Sequence, residues 1–83
     1  MINSNKNLYE ELNKLVDLLD QGDETKIWAL ALRQAMSIST APGEVLGECR
    51  LTINNILTKN IINDDGILNV ANGCVQYINR ILT

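Results

Sequence analysis

Leu8, Leu12, Leu15 and Leu19 recur at spacings of four, three and four, with Tyr9 and Val16 beside them. This spacing predicts an amphipathic helix, because residues three and four apart share one face. Glu10, Lys14 and Asp17 fall outside the stripe, and Glu10 before Lys14 is the favourable i,i+4 order. Ser4 or Asn5 is expected to cap its start, and Gly22 to supply a left-handed exit.

A second helix is predicted from about residue 23 to 38. Its inward stripe is read as Ile27, Trp28, Ala31, Leu32, Ala35 and Met36, with Lys26, Arg33, Gln34 and Ser37 outside. Leu30 sits among those polar positions, so "IWALAL" is apolar over an unusually broad arc. That breadth suits a helix with neighbours on two sides.

Pro42 fits the first turn of a third helix, where its missing N–H is not needed. Val45, Leu46, Cys49, Ile53, Ile56 and Leu57 form its apolar face. "NDDG" at 63–66 stops the chain and re-caps it. A fourth helix follows, presenting Ile67, Leu68, Ala71, Cys74, Val75, Ile78 and Leu82, with Asn69, Asn72, Gln76 and Asn79 outward. No strand alternation competes. Short connections favour antiparallel neighbours, so the expected fold is an all-α, up-down-up-down four-helix bundle forming one domain over 1–83.

Composition narrows the function classes. Apolar residues make up 46% of the 83 and charged ones 20%, which fits a globular domain better than a disordered tail. No apolar run approaches the roughly 18 residues that span a bilayer, so no membrane association is expected. The polar opening "MINSNKN" offers no signal region, and a cytoplasmic location is expected. Seven basic against ten acidic residues give a net charge of −3. Nucleic acid is therefore not an expected partner, since phosphate neutralisation needs clustered Lys and Arg.

The chain has no histidine, which removes Ser/His/Asp and Cys/His nucleophilic systems and the Glu-x-x-His pattern of di-iron bundles. Cys49 and Cys74 are too few for a structural zinc site and fall on apolar faces, where thiols act as small hydrophobes. Aligning Gly66 with the glycine of a calcium loop places Ile61 and Asn72 where acidic ligands belong. The Asp-Ser-Leu tripeptide of acyl carrier proteins is absent. No catalytic residue, cofactor or metal is expected, and the chain is read as a non-enzyme.

Two surface features stand out. Gly43 and Gly47 lie four apart in the third helix, each costing about 1 kcal/mol against alanine. On the helical wheel they share a flank with Arg50 and Asn54. The preferred reading is close packing against another helix of the chain. The alternatives are a contact with another subunit or partner, helped by Leu51, and a ligand cradle at the helix start. Against the cradle, Glu44 and Glu48 would repel a phosphate.

The second feature is an acidic pole. An up-down bundle gathers the first and third connections at one end, with Asp17, Asp20, Asp23, Glu24, Asp64 and Asp65 against Lys26 and Lys59. Acidic residues there complement the starts of helices two and four. That is the preferred reading, and the alternative is a docking surface for a basic protein.

Residues 18–35 read L-L-D-Q-G, five residues, then W-A-L-A-L-R-Q-A. This stretch resembles an LL-x-x-G, W-A-x-x-L-x-x-A motif of small bacterial helical proteins, some of which are similar to immunity or accessory proteins encoded near toxin genes. The resemblance implies a small helical inhibitor that binds a protein partner, and it carries over no functional residues. The leading expectation is thus a protein-binding module, possible as a homodimer. The candidate contact residues are Asp20, Asp23, Glu24, Asp64, Asp65, Gly43, Gly47 and Leu51. The alternative is a structural homo-oligomer without a distinct partner.

Overall fold

A computed structural model describes residues 2–82. Four helices follow in order: α1 (Asn5–Asp20), α2 (Lys26–Met36), α3 (Pro42–Thr58) and α4 (Asp65–Ile81). Each packs against its two sequence or ring neighbours, α1 on α2 and α4, α3 on α2 and α4. The diagonal pairs are kept apart by a core of aliphatic side chains and two cysteines. This is the expected antiparallel four-helix bundle, measuring 31 × 25 × 20 Å.

The leucine stripe of α1 is buried as its spacing predicts, with Leu8, Leu12, Leu15, Val16 and Leu19 all in the core. Ser4 caps the helix, its hydroxyl accepting from the Asn7 amide at 3.1 Å. In α3 the predicted Val45, Leu46, Cys49, Ile53 and Ile56 are buried and Leu57 is half-buried. In α4, Ala71, Cys74 and Ile78 form the buried seam, flanked by half-buried Ile67, Leu68, Val75 and Leu82. Asp64 opens that helix by accepting from the amides of Gly66 and Ile67 at 2.7 and 3.2 Å.

The connection between α1 and α2 departs from expectation. α2 starts at Lys26 instead of residue 23 and ends at Met36 instead of 38. No described glycine has a positive φ, so Gly22 is not a left-handed cap. The turn is closed instead by Thr25, whose buried hydroxyl donates to the Leu19 carbonyl at 2.6 Å. A Cβ on residue 22 would come within 2.5 Å of that hydroxyl oxygen, so glycine is needed there for space rather than for φ. The left-handed residue is Asn60, at φ 55°, just past the end of α3. Asparagine tolerates that conformation and takes the place glycine usually fills at helix ends.

The inward face of α2 is also rotated from the predicted one. Ala29, Leu32 and Ala35 are buried, Trp28, Ala31 and Met36 are half-buried, and Ile27 is 70% exposed. Alanines at 29 and 35 let this short helix sit close to both α1 and α3, so the smaller residues face inward and a large one faces out.

Gly43 and Gly47 do not serve close packing. A Cβ at either position would meet no neighbouring group within 4 Å. Gly47→Ala is therefore expected to stabilise the bundle by about 0.5–1 kcal/mol, raising Tm by several degrees. Gly43→Ala should add less, because residue 43 lies in the first turn. Thermal unfolding of the two variants checks this. A lower Tm for Gly47→Ala would mean that a close contact exists there after all.

Candidate functional site

The acidic pole forms where the sequence places it. The Lys59 ammonium lies 5.5 Å from the centre of the Trp28 ring, bringing the end of α3 to the start of α2. Asp17, Asp20, Asp23, Glu24, Asp64 and Asp65 are all exposed around these turns. Two of them already have work within the chain. The Asp64 carboxylate caps α4, and Asp20 lies 3.8 Å from the Arg33 guanidinium. With both side chains about half exposed, that ion pair adds little stability. Asp65 is in the first turn of α4, where negative charge favours the helix dipole. Among the described residues no three His, Cys, Asp or Glu side chains converge to hold a metal.

Cys49 and Cys74 are free thiols, both completely buried. Burial, with Glu48 nearby, pushes the Cys49 thiol up to about 11. Burial, then Glu11 and Cys49, pushes Cys74 up to about 12. Such thiols stay protonated and unreactive at neutral pH. Hydrophobic packing is what they contribute.

In an open groove on α4, lined by Ile2, Gly73, Gln76, Asn79 and Arg80, two of the three polar side chains are engaged. Asn79 accepts from Arg50 at 3.0 Å, and the Arg80 guanidinium lies over the Tyr77 ring. No set of unengaged polar groups converges there on a ligand position.

The remaining feature is apolar. Among the described residues five large hydrophobic side chains are exposed, and four of them belong to α2, its C-terminal turn and α3: Ile27 at 70%, Leu30 at 54%, Ile38 at 57% and Leu51 at 55%. At about 100° per residue, Ile27, Ala31, Gln34 and Ile38 fall on one outer side of α2, with Leu30 at its edge. On α3, the hydrogen bond from Arg50 to Asn79 fixes the flank that faces α4. Leu51, one residue on, turns away from α4 toward the outer side shared with α2. Glu44, Glu48 and Asn55 lie on that same side of α3. The outer sides of the two helices thus carry these four hydrophobes interspersed with Gln34, Glu44, Glu48 and Asn55.

Of the residues expected to make contacts, only Leu51 lies on this face. Gly43 and Gly47 fall on the outer side of α3 nearer α4, and the five acidic candidates cluster at the pole. Sequence reasoning missed Ile27 and Ile38, although Ile27, Leu30, Gln34 and Ile38 follow i, i+3, i+7, i+11 spacing. No protein-family model, curated protein or solved structure matches the chain significantly.

Proposed function

We propose that this chain is a non-catalytic protein-binding module whose contact surface is the outer face of α2 and α3. The observation that carries this reading is the concentration of exposed Ile27, Leu30, Ile38 and Leu51 on two adjacent helices. Scattered surface hydrophobes are ordinary, but four large ones gathered on two adjacent helices are what an interaction surface presents. The free thiols are buried and protonated, so they offer no competing reactive centre.

Capture of proteins from cells by the tagged full chain tests the reading, with Leu30→Glu as the comparison. The module loses its bound protein when Leu30 becomes charged and keeps it at high salt, because the contact is apolar. Capture unchanged by Leu30→Glu but abolished by Asp23→Lys and Glu24→Lys would move the contact to the acidic pole. That second reading has support of its own: Asp23 and Glu24 are exposed and no side-chain hydrogen bond or ion pair occupies them. An electrostatic contact of that kind would also weaken as salt rises. It is the version closest to an immunity-type inhibitor of a basic protein.

A further inference from the structure

We infer that Cys49 and Cys74 are a latent disulfide, a redox-sensitive lock that ties α3 to α4 when the chain meets a small-molecule disulfide such as oxidised glutathione. This device is independent of the α2–α3 contact face. The register of the α3–α4 hairpin brings the two thiols together. α3 ends at Thr58 and α4 begins at Asp65, so residues equally far from that turn stand level on the antiparallel pair. To within one residue, Leu46 is level with Ile78, Cys49 with Cys74, and Ile53 with Ala71. All six are buried in one core, so the three layers agree on the register.

Two further observations set the thiols side by side. Arg50 donates to Asn79 at 3.0 Å, holding α3 against α4 beside the cysteine layer. Cys49 is also near enough to Cys74 for its charge to help push that thiol up. Packed helix axes lie about 8–10 Å apart, and Cα atoms sit about 2.3 Å off each axis. Facing Cα atoms therefore come roughly 4–7 Å apart, the range that a disulfide spans. These are the chain's two cysteines, so intramolecular oxidation has a single product.

While the helices stay packed, both thiols are protonated and out of reach. Opening of the α3–α4 hairpin exposes one of them, and its thiolate attacks the small disulfide. One glutathione leaves as its thiolate, and a mixed disulfide remains on the chain. A glutathionyl group does not fit a close-packed core, so reclosure of the hairpin favours its expulsion. The second protein thiolate attacks the first protein sulfur, the Cys49–Cys74 bond forms, and a second glutathione leaves. Two protein thiols have then given two protons and two electrons to one oxidised glutathione, which becomes two reduced ones. The bond closes residues 49–74 into a loop and restricts the unfolded chain.

Incubation of the full chain with oxidised glutathione at pH 8, followed by intact-mass spectrometry and thermal unfolding, tests the inference. A parallel incubation at the midpoint of urea unfolding, then refolded, removes any delay from slow opening. The expected product is monomeric, about 2 Da lighter than the reduced chain for the two hydrogens lost, and carries no glutathione. Its Tm is higher than that of the reduced chain by roughly 10 °C, and dithiothreitol reverses both changes. A chain that stays reduced in both incubations, or comes to rest as the mixed disulfide, overturns the inference. So does a crosslinked chain whose Tm is not raised, because the bond then does not match the folded register.

Discussion

Leu32→Ala is expected to cost about 3 kcal/mol, within the range for large-to-small core substitutions, and to lower Tm by roughly 12–24 °C. Leu32 is the only large side chain of α2 that is fully buried, and the other two buried residues of the helix are alanines. Truncating it leaves an 11-residue helix with little to hold it, and isolated helices of that length are marginal in water. The loss should therefore fall on α2 first, visible as faster amide exchange over residues 26–36 than over α1 or α4. Leu30→Ala, two residues away and exposed, should change stability by less than about 0.5 kcal/mol. The pair separates inward from outward positions on one helix. Equal costs at 30 and 32 would mean that the rotation of α2 is wrong.

The second large effect is a loss of stability in alkali. A thiol with a raised pKa in the folded chain stays protonated where the unfolded chain has already released its proton. Stability from the neutral buried thiols is thus fully present below about pH 9, the ordinary thiol value here, and declines as pH rises toward the folded values of about 11 and 12. Each thiol contributes a slope of about 1.4 kcal/mol per pH unit inside that window. Two thiols acting together would remove roughly 5 kcal/mol by pH 11, comparable with the whole stability of a small domain. The informative comparison is with Cys49→Ala/Cys74→Ala, which removes both thiols and leaves the rest of the chain unchanged. Urea unfolding followed by Trp28 fluorescence should show a steeper fall from pH 8 to pH 10 in the wild type than in that variant. Equal slopes would mean that the thiols are not buried as described.

Both expectations show where sequence patterning is informative. Three stripes were legible because α1, α3 and α4 separate apolar from polar residues cleanly along a 3.6-residue period. Leu8, Cys49 and Ile78 could hardly face anywhere but inward. α2 was different. It is apolar nearly all round, so periodicity establishes that it is a helix without fixing its rotation. What fixed the rotation is the close approach that Ala29 and Ala35 allow, and small size leaves little trace in a hydrophobic stripe.

The α1–α2 turn was misread for a related reason. Gly22 at a helix end suggests a left-handed residue, yet the space needed by the Thr25 hydroxyl explains it. Gly43 and Gly47 suggested contact within the chain, and the structure leaves open space beside both. The acidic pole was legible because loop positions follow directly from an up-down topology. The partial occupation of that pole by capping and ion pairing was visible only in three dimensions.

The consequence for function is a shift from charge to apolar surface. The residues that most need a partner are not the acids, which water solvates well, but Ile27, Leu30, Ile38 and Leu51. Because these four are exposed on two adjacent helices, the outer α2–α3 face is the contact surface we propose. The most direct test is capture of cellular proteins by the full chain beside its Leu51→Glu and Ile27→Glu variants, each checked for unchanged helical circular dichroism. The captured protein is predicted to be lost in both variants. Capture that survives both, and is lost instead on Asp23→Lys and Glu24→Lys, would contradict the account.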